Sequence, residues 1–370
     1  MHDSRRAFHL LFLSILSAGY LASETAVILP ALLMNQAFTP SQGGWLISVR
    51  FLGGSLSSIV MILLGARVSY RAYLGTAAAL VVATSSLLPF AVGYPSLLVI
   101  SFLRGTALTF LIAPTNGALS VWFSKSPGTW SSRVHSAFGI GLILAPAVGF
   151  LVVTVGLAWQ AVWIAMGMIS IGLLFVARRA PAGREPRGLV AGRVVDQPLA
   201  GSATKRGARR LVARFWILPV LIAMFNVGVE GSIIGWVPSY VQLTGGAVWL
   251  GQFAGVLLAV GIVFGRALAT RLSGRGKLLS VYHGSILAVI ALALLLVTAG
   301  ATRSYSAPLL GVAIAALYPS MIARLYYSCS LTSSTAKGNT VYERGRRLGR
   351  RLGRYRITHR GACSRSRSFS

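Results

Sequence analysis

The chain has 370 residues, 55% hydrophobic and 11% charged, with 35 Lys and Arg against 6 Asp and Glu for a formal charge of +29. Soluble globular chains carry about 25% charged residues, so this composition, with a mean hydropathy of +0.72, excludes an ordinary water-soluble domain. Two cysteines, Cys329 and Cys363, share no metal-ligand spacing with any of the 5 histidines, which argues against a disulfide framework, a zinc site or any other bound cofactor.

A helix needs roughly 20 apolar residues to cross about 30 Å of hydrocarbon. Runs of that order follow one another at 8–34, 45–66, 72–92, 95–122, 134–154, 157–177, 214–242, 248–270, 278–299 and 304–327. The first has features of a secretory signal, since Arg5 and Arg6 precede an apolar core and "AGYLAS" offers small residues for cleavage. The apolar run continues past that point, so a retained first helix is expected.

Positive charge sets topology, and it falls in alternate loops: Arg5 and Arg6 before span one, Arg67 and Arg71 after span two, Lys125 and Arg133 after span four, and Arg271, Arg275 and Lys277 after span eight. The intervening loops "NQAFTPSQGG", "GYP", "VGLA" and "LTGGA" carry no charge, and "GATRS" carries only Arg303. A multi-pass protein of the inner (plasma) membrane with both ends in the cytoplasm is expected. The expected organisation is a six-helix bundle over 1–177, a cytoplasmic linker over 178–213 rich in Gly, Ala, Pro and Arg, four further helices over 214–327, and a basic tail over 328–370.

A weak internal repeat crosses the linker. Glu24 and Glu230, Trp45 and Trp249, and Pro114 and Pro319 are related by offsets of 206, 204 and 205, so spans seven to ten repeat spans one to four. Duplicated halves are one plan for secondary transporters. The repeat calls for two more helices after Tyr327, where the sequence instead turns to 43 residues holding 11 Lys or Arg and one acid, Glu343. Three readings of that tail stand side by side: a basic arm for lipid or nucleic acid, a solvated disordered segment, and a shifted coding frame that replaces two native helices. The third accounts best for the missing helices, and no folded module or aromatic interleaving supports nucleic acid.

Only Glu24 and Glu230, of the 6 acids, stand inside apolar runs. A carboxyl in the bilayer costs several kcal/mol unless it faces a cavity or a partner. Each therefore marks either a functional site or a protonated packing group. Counting inward at about 1.5 Å per residue, Arg104 lies at the depth of Glu24 and is its expected partner, as a proton-sensitive ion pair or as a static clamp. Arg50 sits about five residues inside span two and is expected either to reach the outer surface or to join a site. Asn116 and Asn226 are candidates for substrate contact or for helix-to-helix bonding. Trp236 and Tyr240 are candidates for stacking on a sugar or for anchoring at the interface. His135 and His283 are expected at the surface of helix ends.

Several stretches resemble the major facilitator superfamily. "LLGARVSYRAYL" and "GRALATRLSGRGK" are similar to its cytoplasmic loop signature, the second through Gly265, Arg271, Gly274 and Arg275, although both lack the usual aspartate. "LRGTALTF" resembles the fourth-helix arginine motif, which implies proton coupling for Arg104. "GIGLILAPAVGF" resembles the fifth-helix motif through Gly141, Pro146 and Gly149, with Ala145 in place of a glycine. "NVGVEGSIIGWVPSYV" and "AALYPSMIA" are most similar to the fucose permease branch, whose members are proton symporters. The resemblance covers about residues 8–327.

It implies an all-α membrane protein of helical bundles, with a complete N-terminal half and an incomplete C-terminal one. The expected activity is alternating-access transport of a small polar solute with protons, by a monomer in the lipid bilayer. Efflux antiport and a non-transporting membrane protein are the alternatives. No span shows paired aspartates, a His-rich metal motif or a nucleophile elbow, so an enzyme is not expected.

Overall fold

The computed structural model describes residues 2–35, 38–64, 68–87, 90, 93–122, 127–178, 225, 227–273, 278–298 and 303–315. The linker, the basic tail, Asn226, Gly274 and Arg275 lie outside the described residues. In chain order the helices are α1 (His2–Asn35), α2 (Pro40–Leu64), α3 (Tyr70–Leu87), α4 (Tyr94–Trp122), α5 (Pro127–Val155) and α6 (Gln160–Arg178). There follow α7 (227–243), α8 (Val248–Ser273), α9 (Leu278–Thr298) and α10 (Arg303–Ala315). No strand occurs among the described residues.

Helix starts extend beyond the apolar runs wherever a polar first turn is itself helical. α2 begins at Pro40, because "TPSQ" closes a capping box: Gln42 Oε1 accepts from the Thr39 amide at 2.9 Å, and Thr39 Oγ1 accepts from the Gln42 amide at 3.3 Å. Pro40 supplies the fixed φ suited to the first helical position. Thr39→Ala should cost about 1 kcal/mol, read as a lower thermal unfolding midpoint. α5 likewise begins at Pro127, well before the apolar run at 134. On α3, Ser69 Oγ accepts from the Ala72 amide at 3.2 Å, a second cap.

α1 is the axis of the first half, in contact with α2, α4, α5 and α6. Its apolar face, including Leu11, Ile15, Leu21 and Leu29, is wholly buried. α2 lies against α4, and the crossing is backbone on backbone. A Cβ on Gly105 would fall 1.9 Å from the Arg50 carbonyl oxygen, and one on Gly53 would fall 2.2 Å from that of Phe102. The crossing recurs between α8 and α10, where Gly261 meets the Pro308 carbonyl and Gly311 that of Leu258 at 2.1 and 2.3 Å on the same measure. Small residues let helices approach closely where no hydrophobic force separates lipid from protein.

The outward faces carry large apolar side chains, such as Leu52, Ile59 and Leu63 on α2, Met168 and Phe175 on α6, and Leu287 and Ile290 on α9. In water such patches would be a liability; in hydrocarbon they are solvated. Among the described residues, five helices are long and apolar enough to cross a membrane: Ala7–Leu33, Pro40–Leu64, Tyr94–Leu119, Val134–Val155 and Val248–Leu268.

Candidate functional site

Glu24 and Arg104 meet in the first half at the centre of α1 and α4, fully buried on both sides. Arg104 Nε donates to Glu24 Oε1 and Nη2 donates to Oε2, each at 2.5 Å. This fork-on-carboxylate geometry is the strongest that an arginine makes. The remaining nitrogen, Nη1, donates to Thr84 Oγ1 at 3.1 Å and Ser85 Oγ at 3.2 Å on α3. The guanidinium plane stacks on Trp163 of α6, with Cζ 4.5 Å from the ring centroid. Four helices thus converge on one charge pair. Neither hydroxyl depends on Arg104, since Thr84 also donates to the Leu80 carbonyl at 2.8 Å and Ser85 to that of Trp163 at 2.9 Å.

Arg50 does not reach the outer surface. α2 starts at Pro40 rather than at residue 45, so Arg50 is ten residues into its helix, about 15 Å along the axis. It is 94% buried, being 6% exposed, and its Nη1 donates to Thr25 Oγ1 on α1. Among the described residues its Nη2 has no hydrogen-bond partner. The charges of Glu24 and Arg104 both act on it.

Glu230 takes a different partner. Arg266 Nη2, on α8, donates to Glu230 Oε1 at 2.6 Å, and the pair keeps partial exposure at 26% and 13%. Arg266 also lies over Phe138 of α5, 5.2 Å from its centroid. Each half therefore pairs a carboxylate on its first helix with an arginine, drawn from the fourth helix in one half and from the second in the other.

His135 is not a surface group, because α5 starts at Pro127 and places it two turns inside the helix. It is half-buried, and its ring Nε2 lies 2.9 Å from Asn116 Oδ1 on α4, so Asn116 serves as a helix-to-helix tie. Among the described residues His283 is exposed.

The aromatic candidates sit in the contact between the halves. Trp236 of α7 covers Gly43 and Gly44 at the start of α2, Ile47 fits against Gly235, and Phe51 against Gly231. Gly231 thus admits a neighbouring helix, whereas nothing lies within 4 Å of a Cβ built on Gly228. Tyr240 packs on the apolar cluster of the second half. Of the fifth-helix residues, Pro146 and Gly149 reach α8 across the contact between the halves, whereas Gly141 packs inside the first half. Gly141 abuts α1 at Leu16 and Tyr20, Gly149 meets Val27 and Gln252, and Pro146 approaches Gly255. A small, mainly apolar cavity lies between the halves, lined by Ser23, Ala26, Leu142, Pro146, Ile234 and Pro238, among others. In the loop motif, Gly265 lies against Val312 of α10, and Arg271 is an exposed residue of the last turn of α8.

Arg266, Arg50 and His135 are the residues that sequence reasoning passed over or misplaced. Arg266 was legible as a cation inside an apolar run holding no acid, facing a lone Glu230 one helix away.

The family model described as the Major Facilitator Superfamily matches residues 11–346, and the chain belongs to that superfamily. The match runs into the basic tail. No curated protein sequence matches. Among solved structures, a D-xylose-proton symporter is similar at 14% identity and a TM-score of 0.63, with 86% of this chain and 82% of that chain covered. A partially occluded, inward-open form of the xylose transporter XylE from E. coli is similar at 14% identity and 0.64, with 87% and 84% covered. The nucleoside transporter NupG, as a D323A mutant, is similar at 14% identity and 0.61, with 85% and 80% covered. At such identities the likeness is one of fold. The chain is a multi-pass membrane transporter of that superfamily.

Proposed function

We propose that the protein moves a small polar solute across the inner membrane by alternating access, as a proton symporter with its N-terminus in the cytoplasm. The observation that carries the coupling is the Glu24–Arg104 pair, 0% and 1% exposed, at the meeting point of four helices. An ion pair so placed is held only while both partners are charged. A proton arriving on Glu24 cancels the attraction, frees the guanidinium fork and loosens α1 from α4 and α3. The seam of α7 on α2 supports the alternating-access part of the reading, since it closes the face opposite the N-terminus through small and aromatic residues free to part. One solved structure of similar fold is a D-xylose-proton symporter.

The test uses proteoliposomes with a trapped pH dye and a panel of sugars, polyols, nucleosides and small monoanions added outside. Symport predicts that at least one solute acidifies the lumen, and that Glu24→Gln abolishes the proton movement while the protein still folds. Alkalinisation would establish antiport instead. Proton movement unchanged in Glu24→Gln would remove Glu24 from the coupling. Deleting residues 328–370 should leave the signal intact; loss of it would make the tail part of the transporting unit.

A further inference from the structure

Among the described residues, the transport reading leaves the Arg50 guanidinium with no acid bonded to it. Arg50, Arg104 and Arg266 stand well inside α2, α4 and α8, and among the described residues Glu24 and Glu230 are the acids that face them. Arg104 is saturated by Glu24, Thr84 and Ser85, and Arg266 is bonded to Glu230. Arg50 bonds, among the described residues, only the neutral Thr25 hydroxyl, and its Nη2 is buried there without a partner. A buried guanidinium that is not neutralised is strongly destabilising, and a buried donor left without an acceptor adds to that cost. The rest of the chain offers no remedy in sequence. Asp3 is 21 residues from Glu24 on the same helix, about 30 Å away. Glu185, Asp196 and Glu343 fall in polar segments outside the apolar runs.

We propose that Arg50 is the binding group for the transported solute and that this solute carries a single negative charge on oxygen, as in a small monocarboxylate or an inorganic monoanion. This rests on the transport reading and narrows its substrate class. One negative charge balances that of Arg50, and one anionic oxygen satisfies the open Nη2. Access is provided by the seam: Ile47 and Phe51, three residues before Arg50 and one after, hold α7 through Gly235 and Gly231. When α7 parts from α2, the flank of α2 that carries Arg50 is uncovered. The bound anion then lies next to Glu24 and Arg104, so its arrival favours a proton on Glu24 by charge repulsion. Anion and proton then cross together as a neutral sum, which an inside-negative membrane would not oppose.

The experiment uses the full chain purified in mild detergent. Thermal unfolding is followed with potassium acetate, D-lactate, D-gluconate, nitrate or dihydrogen phosphate, and with D-glucose and D-xylose as neutral probes. Ionic strength is held with potassium sulfate as a divalent control. The expected result is a midpoint raised by a monoanion and not by the neutral sugars, with apparent affinity weakened roughly 10- to 100-fold in Arg50→Gln, the loss of one charge-assisted hydrogen bond. Arg50→Lys should fall between the two. Response to carboxylates but not to nitrate or phosphate assigns the organic source, and the reverse assigns the inorganic one. A rise with a neutral sugar alone overturns the anion proposal while leaving proton-coupled transport standing. No rise with any anion, or an anion effect undiminished in Arg50→Gln, also overturns it.

Discussion

Arg104→Met should lower stability by about 3–5 kcal/mol, and adding Glu24→Gln to the same chain should recover most of that loss. Removing the guanidinium strands a carboxylate that is 0% exposed, whereas the other groups around it lose little. Thr84 and Ser85 keep their backbone carbonyl acceptors, and methionine fills much of the vacated space beside Trp163. The cost therefore resides in the unpaired charge. Arg50, whose charge acts on the same cluster, compensates in part and places the loss toward the lower end of that range. Thermal midpoints of the wild type, both single variants and the double variant close a cycle whose interaction energy reports the pair itself. If the double variant is no more stable than Arg104→Met, the loss is one of packing and the coupling argument fails with it.

Gly105→Val should be as damaging, by a route that involves no charge. Its Cβ would fall 1.9 Å from the Arg50 carbonyl oxygen and 2.8 Å from the carbonyl carbon. Overpacking by side chains costs about 1–3 kcal/mol because rotamers yield. Here the obstacle is backbone, so α2 and α4 must move apart, and the loss should reach or exceed the upper end. The same shift would draw Arg50 away from Thr25, so transport should fall even in the fraction that folds. Gly75→Ala on α3 is the control: nothing lies within 4 Å of its Cβ, and alanine in a helix interior gains up to about 1 kcal/mol. Equal midpoints for the two variants would show that the crossing is not held by close backbone approach.

The ten helices among the described residues were legible because a span must be apolar for about 20 residues, whatever its partners. Their starts were not. Pro40 and Pro127 open helices in polar sequence, and a hydropathy reading begins only where the lipid does. That error alone set Arg50 too shallow and His135 at a surface. In the candidate site, equal depth was enough to join Glu24 to Arg104, since both lie far from any helix end. The Glu230–Arg266 contact was hidden because Arg266 sits beside Gly265, inside a motif that directs the reader to the loop. The repeat itself was misleading there: it calls for an arginine on the tenth helix, and the second half takes one from the eighth. The tight α2–α4 crossing was invisible in sequence, since Gly53 and Gly105 differ in no local respect from Gly75, which meets nothing.

Both ion pairs join helices of the same half, and among the described residues none bridges the seam. What holds α7 on α2 and α5 on α8 is Trp236 over Gly43, Ile47 on Gly235, Phe51 on Gly231 and Val263 on Gly139, with a hydrogen bond from Gln252 to the Val27 carbonyl at 2.8 Å. In the alternating access proposed above, the rocking of one half on the other need not pull opposite charges apart in hydrocarbon. Its activation barrier is one of sliding apolar surfaces, so the turnover rate should follow temperature and acyl-chain fluidity, and be nearly indifferent to the salt on either side.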